Sequence, residues 1–393
     1  MSSNINIKIL REARRSRKLS IEEVASFASI SGERLRKFET ASAEPTSNQL
    51  AKLGELYNLP FYEFYSDKLP EFSDTLPDFR KANPTEANLS PRGLIRIWQT
   101  QSQAEFVEIL AGALGRSKPE RSSFRRLTNE KQPSAETLRN QFDIWNERVV
   151  NNLKFSGTHE MRFLSYLRSF VEFHGCNTVF NSAPASDYLG FFDEYSEAQK
   201  SIFVNRDQAY GKRKLFTLSH EVAHFLFDAE GVSNPFIAKN AIERQCNEYA
   251  AEFLAPENLV RRIIDSKPHI RSSERLIDLL SENSLLSRQA AALRLLKLDL
   301  ITKAQTNSFF RKVSGKSRFK EFEDRPKSAP MGRAAAVGKK LSEVGTYNAY
   351  VAKLAVSQGL VDPTDIHRGL GISEGLQRDV FDLAARRYEA SAD

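Results

Sequence analysis

Cysteine is almost missing. Cys176 and Cys246 are the only two in 393 residues, too few for a disulfide framework. Histidine is scarce as well, with six in all, so two histidines at a defined spacing stand out. No run reaches the roughly eighteen apolar residues that a membrane span needs. The opening residues, MSSNINIKILREARR, have no apolar stretch of the signal-peptide kind. No internal repeat and no extended low-complexity tract is present. These absences point to a cytoplasmic chain with no membrane partner. The length suits two or three domains, and 40% hydrophobic with 27% charged residues is ordinary globular composition.

The formal net charge of +7 is unevenly spread. Residues 1–40 hold nine Lys and Arg against five acids, and a second basic run occupies Arg311–Lys320. Basic clusters mark either nucleic-acid contact or a solvated face. In the first cluster, helix signals accompany the charge. Ser20-Ile21-Glu22-Glu23 has the form of a capping box, and Pro45-Thr46-Ser47-Asn48-Gln49 holds another. Ser31 can cap the stretch GERLRKFE, Leu50, Leu53 and Leu56 recur at helical spacing, and FYEFY closes the set. Residues 5–66 therefore read as five short helices, two of them joined by the tight turn that helix-turn-helix proteins use to present a recognition helix.

That stretch resembles the Cro/phage-repressor (XRE) helix-turn-helix family in its basic first helix, LSIEEVA, LRKFE, the Pro45-Thr46 start and LAKLGELYNLP. The resemblance implies a recognition helix at 31–38, with Ser31, Glu33, Arg34 and Lys37 facing DNA. One departure stands out. The family follows this helix with Glu-x-Gly and basic residues, whereas here the run is Glu39-Thr40-Ala41-Ser42-Ala43-Glu44. Glycine for a left-handed helix end and cations for phosphate are both missing, which leaves protein contact as the competing use of the domain.

Residues 71–135 read as a linker (67–86 rich in Pro and acid), a helix near 90–114 and a polar loop at 115–135. Amphipathic helices follow from Ser134 and around 157–173. Short strands are expected at 175–180, in Leu189–Asp193 and at Lys200–Asn205. Next comes FTLSHEVAHFLF. His220 and His224 lie four apart on this apolar helix, one turn apart on one face, so both imidazoles can reach one zinc ion. Glu221 is placed to take a proton from metal-activated water and pass it to a leaving nitrogen. A second helix, AIERQCNEYAAEFLAP, offers a third ligand. Glu243 is the leading choice; Glu248, Cys246 and Glu252 are its rivals. Asn247, one turn beyond Glu243, can orient a histidine. The β-prone run Ile202-Phe203-Val204, just upstream of the zinc helix, is expected to be an edge strand that pairs with extended substrate. His269 and His367 lack neighbours at metal spacing and read as surface residues.

FTLSHEVAHFLF followed by ERQCNEYAAEFLAP resembles the ImmA/IrrE family of zinc metallopeptidases. The resemblance implies a gluzincin-like minimal fold, Zn2+ held by His220, His224 and Glu243, and Glu221 as base. Ser219, Cys246 and Ala255 depart from the usual residues without removing a chemical role, and Leu215 replaces a common arginine. Residues 285–301 resemble the family's helical tail.

The expected fold is α+β, mainly helical. A helix-turn-helix domain spans 1–70, a connector 71–135, a peptidase with a small sheet 136–301, and a helical region 302–393, of which 302–334 reads as irregular. The helical region can be a packed appendage, a sensor or a homodimer contact. The expected function is site-specific proteolysis of a transcriptional repressor or other helix-turn-helix protein in a stress-response or mobile-element circuit, with DNA bound through residues 1–66. The rival readings are a DNA-binding regulator with a non-proteolytic zinc site and an antitoxin-like binding partner.

Overall fold

Local signals at the N-terminus become helices. In a computed structural model of the chain, described over residues 5–17, 19–59, 61–70, 89–116, 132–196, 199–208, 211–233, 240–314 and 332–392, helix α1 (Ile7–Ser16) starts at the Asn6 cap, and α2 (Ile21–Ala28) at the Ser20/Glu23 capping box. Helix α3 (Gly32–Glu39) starts at Ser31, and α4 (Ser47–Tyr57) at the Thr46/Gln49 box. A 3-10 turn, Phe61–Tyr65, ends the module. The expected linker at 67–86, the loop at 115–135 and the basic run at 311–320 lie largely outside the described residues.

The described residues form two compact units: those up to Ser102, within the long helix α5 (Pro91–Ala113), form the first, and those from Gln103 onward the second. In the first unit, Leu10, Val24, Leu35, Phe38, Leu53 and Phe64 are buried. Arg14 grips the buried Glu39 carboxylate through two hydrogen bonds of 2.6 and 2.8 Å, which tie α1 to the end of α3. Arg17 is buried over the ring of Trp98, 4.0 Å from its centroid. Burial lowers its guanidinium to about 10.

In the second unit, helices α6 (Ala135–Val149) and α7 (His159–Phe173) precede the strands β1 (Asn177–Asn181), β2 (Gly190–Glu194) and β3 (Lys200–Asn205). Helix α8 (Gly211–Leu226), strand β4 (Gly231–Ser233) and helix α9 (Ala241–Leu254) follow. Four further helices follow: α10 (Glu257–Asp265), α11 (Ser273–Asn283), α12 (Arg288–Lys297) and α13 (Lys303–Ser314). The last four are α14 (Arg333–Val344), α15 (Thr346–Ser357), α16 (Pro363–Leu370) and α17 (Glu374–Ala392). The architecture is α+β and mainly helical, as expected.

The sheet order is β1-β3-β2-β4. Strand β3 runs parallel to β1 and antiparallel to β2, and β2 runs antiparallel to β4. This corrects the edge-strand expectation for Ile202, Phe203 and Val204. Phe203 lies between Val179 and Phe191, and the whole of β3 is buried. A continuous apolar run such as Ile-Phe-Val fits a strand covered on both faces. Ile202 and Val204 enter the main core with Phe192, while Phe203 stacks on Phe191 at 4.8 Å on the opposite face.

Helix α13 is a second correction, because residues 302–334 were expected to be irregular. Thr302 and Gln305 cap each other's backbone N–H, a capping box, and Thr306 and Phe309 are buried.

Candidate metal centre

Helix α8 passes through the core with every side chain from Leu215 to Leu226 buried. It packs on β2, β3, α7 and α9, which fixes its rotation and sends His220 and His224 toward the first turn of α9. Glu243 stands in that turn, where the Asn240 side chain caps its backbone N–H at 2.9 Å. All three side chains are fully buried.

The donor atoms converge. Nε2 of His220 and Nε2 of His224 are 3.0 Å apart. Glu243 Oε1 is 3.2 Å from His224 Nε2, and Oε2 is 3.4 Å from His220 Nε2. Donors about 2.0–2.1 Å from one ion in tetrahedral array lie about 3.3 Å from each other, so the triangle has the size that a single transition-metal ion requires. No other group of three or more such donors occurs among the described residues.

The protonation of the site follows from its partners. His224 Nδ1 lies 3.1 Å from the carbonyl oxygen of Ala229. A carbonyl only accepts, so Nδ1 carries the hydrogen and the neutral ring keeps its Nε2 lone pair for the centre. Burial lowers the His224 pKa and favours that neutral form. For Glu243, burial pushes the carboxyl upward, and the proximity of the two histidine rings more than offsets this and holds it below the usual carboxylate range. A neutral imidazole donor set with one carboxylate is what zinc and its neighbours accept.

Glu221 is also fully buried. Its Oε1 accepts a hydrogen bond from the Ser233 hydroxyl on β4, and its Oε2 has no hydrogen-bond partner among the described residues. Burial raises its pKa well above the ordinary carboxylate range; the Ser233 bond opposes this and the charge of Glu243 adds to it.

The structure thus brings His220, His224 and Glu243 together with Glu221 close by, and it places the rival ligands elsewhere. Glu248 is exposed and paired with Lys297 at 2.8 Å, and Glu252 faces Arg294 at 3.7 Å. Cys246 is buried, and burial raises its thiol pKa. Asn247 is half-buried one turn beyond Glu243. His269 and His367 are exposed. Ser233 carried no signal in the sequence, since GVS is too short a run to read as a strand, and Gly190 stood out only as part of the expected strand Leu189–Asp193.

Residues 171–296 match the family model of a peptidase domain described as IrrE N-terminal-like. That segment runs from α7 into α12 and contains all four residues of the centre. Residues 10–64 match a helix-turn-helix model. The two matches agree with the ImmA/IrrE and XRE resemblances read from the sequence. No curated protein and no solved structure matches the chain.

In the helix-turn-helix segment, Ser31, Glu33, Arg34 and Lys37 are exposed, while Leu35 and Phe38 face the core. Ser31 accepts the Arg34 N–H at 3.2 Å. Glu33 and Lys37 pair at 2.7 Å, and Arg34 stacks on Phe38 at 5.5 Å.

Proposed function

We propose that the chain is a zinc-dependent, site-specific endopeptidase of the cytoplasm, joined to a helix-turn-helix module, whose substrate is a transcriptional repressor or similar regulatory protein. The observation that carries this reading is the triangle of His220, His224 and Glu243 beside a buried, half-satisfied carboxylate. A purely structural metal site has no use for such a carboxylate. Zinc, when bound, supplies a Lewis acid that polarises the scissile carbonyl and makes water acidic.

The chain's own residues do the rest. His220 and His224 would hold the metal through Nε2, and Glu243 balances charge. Glu221 keeps Oε2 free to take a proton from the attacking water and return it to the leaving nitrogen. Burial raises its pKa, the direction in which a general base is tuned. Asn247 remains in this reading as a residue that steadies the ligand set. With β3 enclosed on both sides, the free strand edge beside Glu221 is that of β4, which pairs with β2 alone among the described strands. An extended substrate segment laid along it would lie next to the base.

DNA binding through residues 1–66 belongs to the same proposal. Arg34 and Lys37 are exposed on α3 together with Arg36, which pairs with Glu22 at 2.9 Å, and the Glu33–Lys37 pair reduces the helix's net charge, so affinity should be modest and fall steeply with salt. Arg34→Ala should weaken retention on DNA from the protein's own locus at low salt. An unchanged affinity would favour protein contact as the use of this helix.

Comparison of protein N-termini in cells carrying wild type or Glu221→Gln tests the proteolytic reading. New N-termini that depend on Glu221 are expected. Identical profiles under conditions in which the wild-type protein is zinc-loaded would leave the regulator reading in its place.

A further inference from the structure

Ser233 is fully buried on β4, twelve residues beyond Glu221. Its backbone is fixed twice. It pairs with Gly190 in the β2–β4 ladder, and its carbonyl accepts Leu189 N–H at 3.2 Å. Its hydroxyl can therefore move only about one torsion, and that torsion points it at Glu221 Oε1.

Gly190 completes the seat. A methyl group there would stand 2.9 Å from both the Glu221 carboxyl carbon and Thr217 Cγ2, closer than side chains pack. Thr217 lies one turn before Glu221 on α8, and its hydroxyl donates to Gln208 Oε1 at 3.0 Å, so it cannot turn aside freely. The Glu221 carboxylate thus lies on the bare Cα of Gly190 with one oxygen pinned and the other unpartnered. A glutamate has three side-chain torsions, and a hydrogen bond to one oxygen together with contact on one face removes most of that freedom.

We infer that Ser233, backed by Gly190, is the positioning residue that aims Glu221 Oε2 at the reacting water. The inference rests on the proteolytic reading for Glu221's role but concerns a separate residue on a separate element. Ser233 touches neither substrate nor metal; it acts by fixing which carboxylate oxygen is free. An alanine there would leave Oε1 buried and unpaired and let the carboxylate swing.

The test uses the full-length, zinc-loaded chain and acetohydroxamic acid, a metal chelator that also gives a proton to a neighbouring carboxylate, with binding measured by calorimetry. Glu221→Gln should weaken binding because the acceptor is lost. Ser233→Ala should weaken it roughly tenfold or more, the usual scale for residues that orient a site from behind, with zinc content unchanged. Ser233→Thr should restore it. Ser233→Cys, which keeps the volume with a much weaker donor, should behave as alanine does, and it serves if the alanine variant folds poorly. Equal binding by wild type and Glu221→Gln would overturn the role of Glu221 itself. Weakening by Glu221→Gln with wild-type binding by both Ser233→Ala and Ser233→Cys would overturn the role of Ser233 alone. Failure of threonine to rescue, with zinc content and melting temperature intact, would also count against the hydroxyl.

Discussion

Glu243 Oε1 lies 3.2 Å from His224 Nε2 although nineteen residues separate them. The first turn of α9 closes what α8 opens, and neither helix alone makes a site. Purified protein should hold about one zinc per chain, as a three-ligand centre does. His220→Ala, His224→Ala and Glu243→Ala should each lower occupancy sharply, while Glu221→Gln should keep it. Metal analysis after gel filtration checks this. Full occupancy in Glu243→Ala would remove Glu243 from the ligand set.

Much of this was legible in the sequence, because the signals are local. The capping boxes at Ser20 and Thr46 start their helices where the spacing placed them. Four-residue spacing on an apolar helix is enough to align His220 with His224. What escaped was non-local. Which strand lies at the edge depends on pairing order, which proximity to the helix of His220 and His224 does not reveal, so Ile202–Val204 was misplaced. Its three consecutive apolar residues were the signal for an interior strand. The Thr302/Gln305 box was readable and was obscured by the basic residues beyond it. Ser233 matters only through a three-residue strand that no periodicity can announce, and Gly190 only through its pairing with that strand.

Ala41 replaces the glycine that usually ends the recognition helix, and it adopts φ 61° all the same. A side chain in the left-handed region costs about 1 kcal/mol or more relative to glycine. Ala41→Gly should therefore stabilise the first unit by about 1 kcal/mol, less the entropy that glycine restores to the unfolded chain. Denaturant unfolding followed by hydrogen exchange at α1–α4 amides would show it. Destabilisation would mean that the turn relaxes away from this conformation in solution.

His174 ends α7 against the ring of Phe170, 4.6 Å between centroids. Burial, with a smaller push from Arg148, lowers its pKa from 6.5 to about 3. The unfolded chain therefore binds a proton that the folded one refuses between those values. Stability from this residue is present above pH 6.5 and is lost progressively as pH falls toward 3. His174→Phe cannot titrate, so its melting temperature relative to wild type should rise as pH drops from 7 to 4. A constant difference across that range would show that His174 does not carry the acid sensitivity.

The last helices are bound to α6, α7 and β1 by buried polar contacts. Glu172 on α7 accepts the Thr346 N–H at 3.1 Å at the start of α15, where Gly345 offers no side-chain cap. Asn177 on β1 donates to the Val344 carbonyl at 3.1 Å, Arg168 to the Ser342 hydroxyl at 3.0 Å, and Trp145 to the Ser391 carbonyl at 3.0 Å. Each buried group deprived of its partner costs about 1–3 kcal/mol, which is large against a total stability of about 5–15 kcal/mol. A chain ending before Arg333 should therefore fail to fold cooperatively. A finer test uses Gly345, which has φ 92° and whose added Cβ would fall 2.6 Å from the Asn177 side-chain carbon. Gly345→Ala should destabilise through both the backbone strain and the clash. In an Asn177→Ala background the clash is gone and only the strain remains, so the same substitution should cost measurably less. A double-mutant cycle on thermal or denaturant unfolding reads that coupling. Additive costs would mean that α15 is not seated on β1 at this point.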